Sequence, residues 1–205
     1  MQTALEHPFG CYWVDPEAFN PDRVNTVDAL VDALFEQSKR PEQQVFWDDE
    51  NQCPNSGKWA GQGFEAWFHI ADTSAPDHRI NIFNYLPTID DEFGADALGD
   101  FRLDPQTVVP VLVQLKLVKN GNDLLSRFRQ ENLGTPLEAA FIWGRPLVVF
   151  VTTAAGVHPK ILQTWNQNGE KVKVINRARL KEVYDYHPTV WQNFYNSLLT
   201  KQAAV

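Results

Sequence analysis

Two short apolar runs constrain the fold of this chain most strongly: VVPVLVQLKLV at residues 108–118 and PLVVFVTTA at residues 146–154. Runs of this length that are rich in β-branched residues are typical of strands with at least one buried face. Neither run approaches the roughly 20 apolar residues of a membrane-spanning helix. A central sheet is therefore expected, with other elements packed on it to bury its apolar side chains.

The spacing of apolar residues also predicts three helices, near residues 26–39, 122–132 and 189–201. In the first, apolar side chains recur at i, i+3, i+4, i+7 and i+8, which places them on one helical face. Thr26 stands where an N-cap is expected, and Pro41 would end the helix.

Further strands are predicted at residues 44–49, 64–72 and 79–86 from their β-branched and aromatic content. Near the C-terminus, Asn168-Gly169 lies between two strand-like runs, which predicts a β-hairpin over residues 160–181.

Together these elements predict an α+β domain over residues 23–205, with a central, mostly antiparallel sheet flanked by about three helices. The hairpin and a closing helix would complete it at the C-terminus. Residues 1–22 are rich in proline and aromatic side chains, so an extended arm packed on the body is expected there.

The net charge of −8 conceals a division between the two halves of the chain. Residues 1–104 carry 20 acidic and 6 basic residues, whereas residues 105–205 carry 6 acidic and 12 basic ones. Such asymmetry indicates either a charged partner or association between the acidic and basic halves. The acidic segment that we interpret as a binding surface lies around Asp90, Asp91, Glu92, Asp96 and Asp100.

Gln114 and Lys116 break the apolar pattern of the first run on one face, because side chains alternate along a strand. Asp104 precedes them, and a predicted helix and an apolar strand follow. This order is similar to the core of PD-(D/E)xK nucleases over about 50 positions. The resemblance implies that Asp104 and Gln114 hold Mg²⁺ or Mn²⁺ and that Lys116 acts on the attacking water, with Glu36 as a further acid. The alternative is a half-solvated strand with no metal or other cofactor.

The predicted hairpin carries a dense cluster of cations. Its basic face could follow a phosphate backbone, hold an acidic protein surface, or protect an edge strand from aggregation. The candidate binding residues are Lys160, Lys171, Lys173, Arg177, Arg179 and Lys181.

Other chemistry has little support in the sequence. The two cysteines, Cys11 and Cys53, provide neither a disulfide framework nor a zinc ligand set, and the 5 histidines lack ligand spacing. No glycine-rich nucleotide-binding motif is present. The start of the chain lacks a signal-peptide pattern, and a cytoplasmic setting is expected.

We therefore interpret the chain as a non-catalytic interaction protein of the inhibitor, immunity or accessory type, with a protein as its partner. Two alternatives stay open. One is a metal-dependent nuclease, or a degenerate relative of one, that uses Asp104, Gln114 and Lys116. The other is a nucleic-acid binder that uses the basic hairpin. The nuclease needs an acid beside Gln114, and the binder needs an exposed basic face.

Overall fold

The computed structural model describes residues 15–40, 47–48, 53–54, 56–74, 80–88, 95–122, 124–125, 140, 144–167 and 171–202. The chain divides into two compact units. The helical unit comprises residues 1–74 and 184–205, and the sheet unit comprises residues 75–183.

Three α-helices form most of the described part of the helical unit: α1 (Val27–Gln37), α2 (Ser56–Ser74) and α5 (Pro188–Gln202). The hydroxyl of Thr26 accepts a hydrogen bond from the Ala29 amide at 3.2 Å, so the predicted cap of α1 is confirmed. The predicted closing helix is confirmed as α5. The unit also contains a 3₁₀ helix, Pro16–Phe19, and two paired short strands, β1 (Trp47–Asp48) and β2 (Cys53–Pro54).

The strand predicted at residues 64–72 is wrong, because these residues lie within helix α2. Aromatic residues favour strands only where they can pack on a sheet, and here they pack on α5 and on Tyr184, which belongs to the helical unit. The Trp67 ring stacks on Trp191 of α5, with centroids 5.4 Å apart, and meets the Tyr184 ring edge-on. Tertiary packing thus decides the conformation of this segment.

The sheet unit is built on five strands in the order β3-β4-β5-β7-β9. The first three, which are neighbours in sequence, pair antiparallel, whereas β5, β7 and β9 run parallel to one another. The α+β class is confirmed, but the sheet is mixed rather than mostly antiparallel. Its strands are β3 (Ile82–Pro87), β4 (Ala97–Asp104), β5 (Thr107–Lys116), β7 (Leu147–Thr152) and β9 (Val172–Ile175).

The sheet unit also holds a second parallel pair, β6 (Leu124–Leu125) with β8 (Gly156–Val157), and two helices, α3 (Pro159–Trp165) and α4 (Arg177–Tyr184). The helix predicted from residue 122 is wrong at its start, where β6 forms. Residues 126–132 of that helix lie outside the described part of the chain.

The predicted C-terminal hairpin is also wrong. Its first arm is helix α3, and its second arm is the short strand β9 followed directly by α4. A parallel strand needs a crossover connection, and α3 provides it between β7 and β9. The Asn168-Gly169 pair itself lies outside the described residues.

One face of the sheet is covered by apolar contacts with α3. The Phe150 ring lies 6.2 Å from the Trp165 ring, and Leu112 and Val148 belong to the same buried cluster. The strand face that carries Leu112 also carries Gln114 and Lys116, further along β5.

The division into an arm at residues 1–22 and a domain at residues 23–205 stays a prediction. Among the described residues, no helix is long and apolar enough to cross a membrane.

Candidate functional site

Gln114 and Lys116 lie at the C-terminal end of β5, on the same face of the strand. Gln114 is half-buried and Lys116 is exposed. Both belong to the part of β5 that pairs parallel with β7, where Gln114 is opposite Phe150 and Lys116 is opposite Thr152. The apolar cluster thus ends at this point, and polar groups take its place.

Asp104 does not reach these two residues. It lies at the turn between β4 and β5, opposite Thr107, which is seven residues before Gln114. At about 3.3 Å per residue, this separation is roughly 23 Å along the strand. The pairing of Asp104 with Gln114 that the sequence suggested is therefore wrong, because the hairpin folds back directly after Asp104.

The local role of Asp104 is to hold that turn. Its carboxylate accepts a hydrogen bond from the Gln106 amide at 2.9 Å. Hydrogen bonds from the amide of Gln106 and from the side chain and amide of Thr107 lower the pKa of Asp104. These contacts fit an exposed turn residue.

The acid that meets Gln114 is Asp96, which directly precedes β4. Its amide donates to the Val113 carbonyl at 3.1 Å, which continues the antiparallel pairing by one residue. Its Oδ2 atom accepts hydrogen bonds from Gln114 Nε2 and from the Leu115 amide, both at 2.5 Å. Asp96 and Gln114 thus form one polar pair at the start of β4 and the end of β5.

Sequence reasoning placed Asp96 only within an acidic surface segment. The sequence feature that could have identified Asp96 as the neighbour of Gln114 is the turn at residues 104–106. An antiparallel hairpin closed there brings residues near 96 beside residues near 114, because both arms advance by the same length from the turn.

The side-chain amide of Gln114 has an oxygen that accepts no hydrogen bond from the described part of the chain. Nε2 is engaged by Asp96, and Oε1 is buried with no hydrogen-bond partner among the described residues. A buried carbonyl oxygen without a partner is costly, on the order of 1–3 kcal/mol, and such a group calls for a water or an ion.

A hard divalent cation fits this donor set. Mg²⁺ and Mn²⁺ prefer oxygen ligands, and the hydrogen-bonded Asp96 and Gln114 each carry such an oxygen, a carboxylate in one and an amide oxygen in the other. No group of three or more His, Cys, Asp or Glu residues that could hold a metal is found in the described ranges. A cation held by this pair would therefore take its remaining ligands from water and substrate, as Mg²⁺ commonly does. Glu36, the further acid suggested by the sequence, is exposed in the helical unit and lies 2.7 Å from Lys39 Nζ.

The candidate basic residues do not share one strand face. Lys160 lies in the first turn of α3, Lys171 precedes β9 and Lys173 lies within it, whereas Arg177, Arg179 and Lys181 belong to α4.

Arg179 and Arg177 form contacts within the sheet unit. Arg179 pairs with Glu182 at 2.6 Å, and Arg177 Nη1 donates to the carbonyls of Lys119 and Thr153, each at 3.3 Å. The role of the six basic residues in binding stays a prediction.

The acidic candidates Asp90, Asp91 and Glu92 lie outside the described residues. Asp100, from the same acidic segment, accepts a hydrogen bond from Asn84 at 2.8 Å on the exposed side of β3 and β4.

Comparison with known proteins gives likeness of structure only. No protein-family model matches the chain. No curated protein matches it. The chain is similar to the solved structure of the DNA modification-dependent restriction endonuclease AspBHI, with 14% sequence identity and a TM-score of 0.46. The match covers 93% of this chain and 41% of AspBHI.

A second solved structure that it resembles is the MspJI restriction endonuclease in complex with a 27-mer oligonucleotide. There the identity is 15% and the TM-score 0.38, over 76% of this chain and 39% of MspJI. This chain thus spans about two fifths of the length of each endonuclease.

The interpretation as a non-catalytic interaction protein is contradicted by these comparisons, since both similar structures are endonucleases. Nothing found here supports a protein partner. The acid that lies beside Gln114 is Asp96 and not the predicted Asp104.

Proposed function

We propose that this chain is a metal-dependent nuclease that cleaves phosphodiester bonds with Asp96, Gln114 and Lys116. The observation that carries the proposal is the contact between Asp96 Oδ2 and Gln114 Nε2 at 2.5 Å, next to the unpartnered Gln114 Oε1. Gln114 lies two residues before the exposed Lys116, on the same face of β5. An acid on one strand followed by Gln-x-Lys on the next is the order on which the resemblance to PD-(D/E)xK nucleases rests.

Each side chain has a role that follows from its position. Asp96 would hold Mg²⁺ or Mn²⁺ with one carboxylate oxygen, while its bond to Gln114 Nε2 fixes the amide so that Oε1 serves as a second ligand. A bound divalent cation would supply a polarised water and stabilise the negative charge that develops on the phosphate. The exposed Lys116 ammonium would donate hydrogen bonds to that water or to a phosphate oxygen.

The proposed substrate is a nucleic acid, because phosphodiester cleavage is the chemistry that this set of groups suits. The basic excess of residues 105–205 is consistent with a polyanionic partner. A cleavage assay with single- and double-stranded DNA and RNA identifies which nucleic acid is cleaved.

The first test is a cleavage assay with labelled single- and double-stranded DNA and RNA at low salt, with Mn²⁺ or with EDTA. We expect shortening in Mn²⁺ and none in EDTA. Lys116→Ala should lower the rate by about 10²- to 10⁴-fold, the range for loss of a group that assists proton transfer or charge development. Lys39 is an exposed lysine just after α1, and Lys39→Ala is the matched control that should leave the rate unchanged. Equal rates for both variants would refute the assignment of Lys116.

A second test measures cation binding directly. Gln114→Leu keeps the size of the side chain and removes the amide oxygen. We expect its affinity for Mn²⁺ to fall by about tenfold or more, since even residues that only support metal ligands cost about 10- to 100-fold when lost. Titration calorimetry with Mn²⁺ gives the readout, and Gln192→Leu on the exposed side of α5 is the control. Unchanged Mn²⁺ affinity in Gln114→Leu would remove Gln114 from the metal site.

A further inference from the structure

At the end of β5, the sheet ladder is supplemented by hydrogen bonds from threonine side chains. The Lys116 carbonyl accepts from the hydroxyl of Thr152 at 2.9 Å and from the amide of Thr153 at 3.2 Å. Thr152 ends the otherwise apolar strand β7, Thr153 follows it directly, and both are fully buried. Two buried hydroxyls at the end of such a strand are expected to form hydrogen bonds, because burying them without partners would cost free energy.

The hydroxyl of Thr153 bonds to the backbone of Val118 in both directions. It donates to the Val118 carbonyl at 2.8 Å and accepts from the Val118 amide at 2.6 Å. A threonine can do this because a hydroxyl is both a donor and an acceptor. The backbone on the C-terminal side of Lys116 is thereby tied to β7.

Arg177 adds a third tie from the start of α4. Its Nη1 atom donates to the carbonyls of Lys119 and Thr153, and its amide donates to the Ala154 carbonyl at 3.0 Å. The side chain passes over Gly121, where an added Cβ would lie 2.5 Å from Arg177 Cδ. Arg177 therefore joins the segments that follow β5 and β7.

We infer that Thr152 and Thr153 are positioning residues for Lys116, and that Thr153 is the more important of the two. This inference rests on the proposed function, in which the Lys116 ammonium acts on the reacting phosphate or water. The hydrogen bonds hold the Lys116 carbonyl and the backbone that follows it, and so restrict the direction in which the Lys116 side chain leaves β5. Positioning matters because a displacement of about 1 Å at a reacting group can cost about 100-fold in rate.

The test compares Thr153→Val, which keeps the side-chain volume but removes the hydroxyl, with Thr153→Ser, which keeps the hydroxyl. In the Mn²⁺ assay we expect Thr153→Val to lower kcat by about 10- to 100-fold, with KM little changed. Thr153→Ser should restore most of the rate. The control is Thr164→Val, which removes another threonine hydroxyl bonded to a carbonyl, that of Lys160 in α3; its kcat should equal that of the unsubstituted chain.

Amide hydrogen exchange gives a readout that does not depend on activity. The Val118 amide donates to the Thr153 hydroxyl, so Thr153→Val should increase its exchange rate while amides within β7 remain protected. If kcat and Val118 exchange both match the Thr164→Val control, the inference is overturned. If KM rises while kcat stays constant, Thr153 affects substrate binding instead, and the inference is again overturned.

Failure of the proposed function gives a different result. If the unsubstituted chain cleaves no nucleic acid, the nuclease proposal is wrong, and so is the catalytic role of the hydrogen bonds from Thr152 and Thr153. Faster Val118 exchange in Thr153→Val would then still show that the hydroxyl holds this segment.

Discussion

Asp96→Asn is expected to abolish metal-dependent cleavage, with kcat/KM reduced by about 10³-fold or more, as for other groups that a reaction depends on directly. The asparagine keeps the size of the side chain, and its Oδ1 can still accept hydrogen bonds from Gln114 and the Leu115 amide. The substitution thus removes mainly the negative charge, which the proposed cation requires. Cleavage rates in Mn²⁺ and the thermal midpoint of unfolding should be measured on the same preparation.

The matched control is Asp104→Asn. Asp104 lies at the exposed turn between β4 and β5 and has no contact with Gln114, so its rate should stay within about twofold of the unsubstituted chain. An inactive Asp104→Asn beside an active Asp96→Asn would restore the assignment that the sequence alone suggested. An active Asp96→Asn would show that the Asp96–Gln114 pair only closes the end of the sheet.

Asp72→Asn is expected to stabilise the protein at alkaline pH. Asp72 lies on α2 with 2% of its surface exposed, and its Oδ1 atom is buried with no hydrogen-bond partner among the described residues. Burial raises the pKa of Asp72 from 3.8 to about 7. In the window between these values the folded state keeps its proton while the unfolded chain loses it.

The direction in which stability changes with pH follows from this difference in pKa. The folded state binds more protons, so the free energy of unfolding decreases as the pH rises from about 4 to about 7 and is then constant. A pKa difference of this size corresponds to at most about 4 kcal/mol. Asn cannot ionise, so Asp72→Asn should be nearly neutral at pH 4 and stabilising by up to about 4 kcal/mol at pH 8.

Urea unfolding at both pH values, followed by tryptophan fluorescence, measures the effect. Asp32→Asn, on the exposed side of α1, is the control and should not change the pH dependence by more than about 0.5 kcal/mol. If the difference between Asp72→Asn and the unsubstituted chain is the same at pH 4 and pH 8, the carboxyl of Asp72 does not carry a raised pKa.

The elements that the sequence predicted correctly are those whose pattern is local. Apolar spacing and the Thr26 cap define α1, and the same spacing defines α5. The runs at β5 and β7 are largely apolar and rich in β-branched residues. In these segments intrinsic preference and burial agree, so neighbouring residues suffice to determine the structure.

Local pattern failed where packing partners decide the outcome. The aromatic residues of α2 favour a strand by composition, but their rings pack against Tyr184 and Trp191. The segment predicted as a hairpin contains α3 because β9 joins the sheet parallel to β7, and a parallel neighbour requires a crossover. Neither the ring contacts nor the strand order is encoded within a short window of sequence.

For the candidate site, the sequence by itself determined that Gln114 and Lys116 lie side by side on one face of β5, because the two-residue period of a strand is local. Only the tertiary structure decided which acid joins them. Strand register places Asp96, eighteen residues before Gln114, within hydrogen-bond distance and leaves Asp104 at the far turn. Register depends on where the hairpin closes and on which side chains it buries, and these are properties of the folded sheet as a whole.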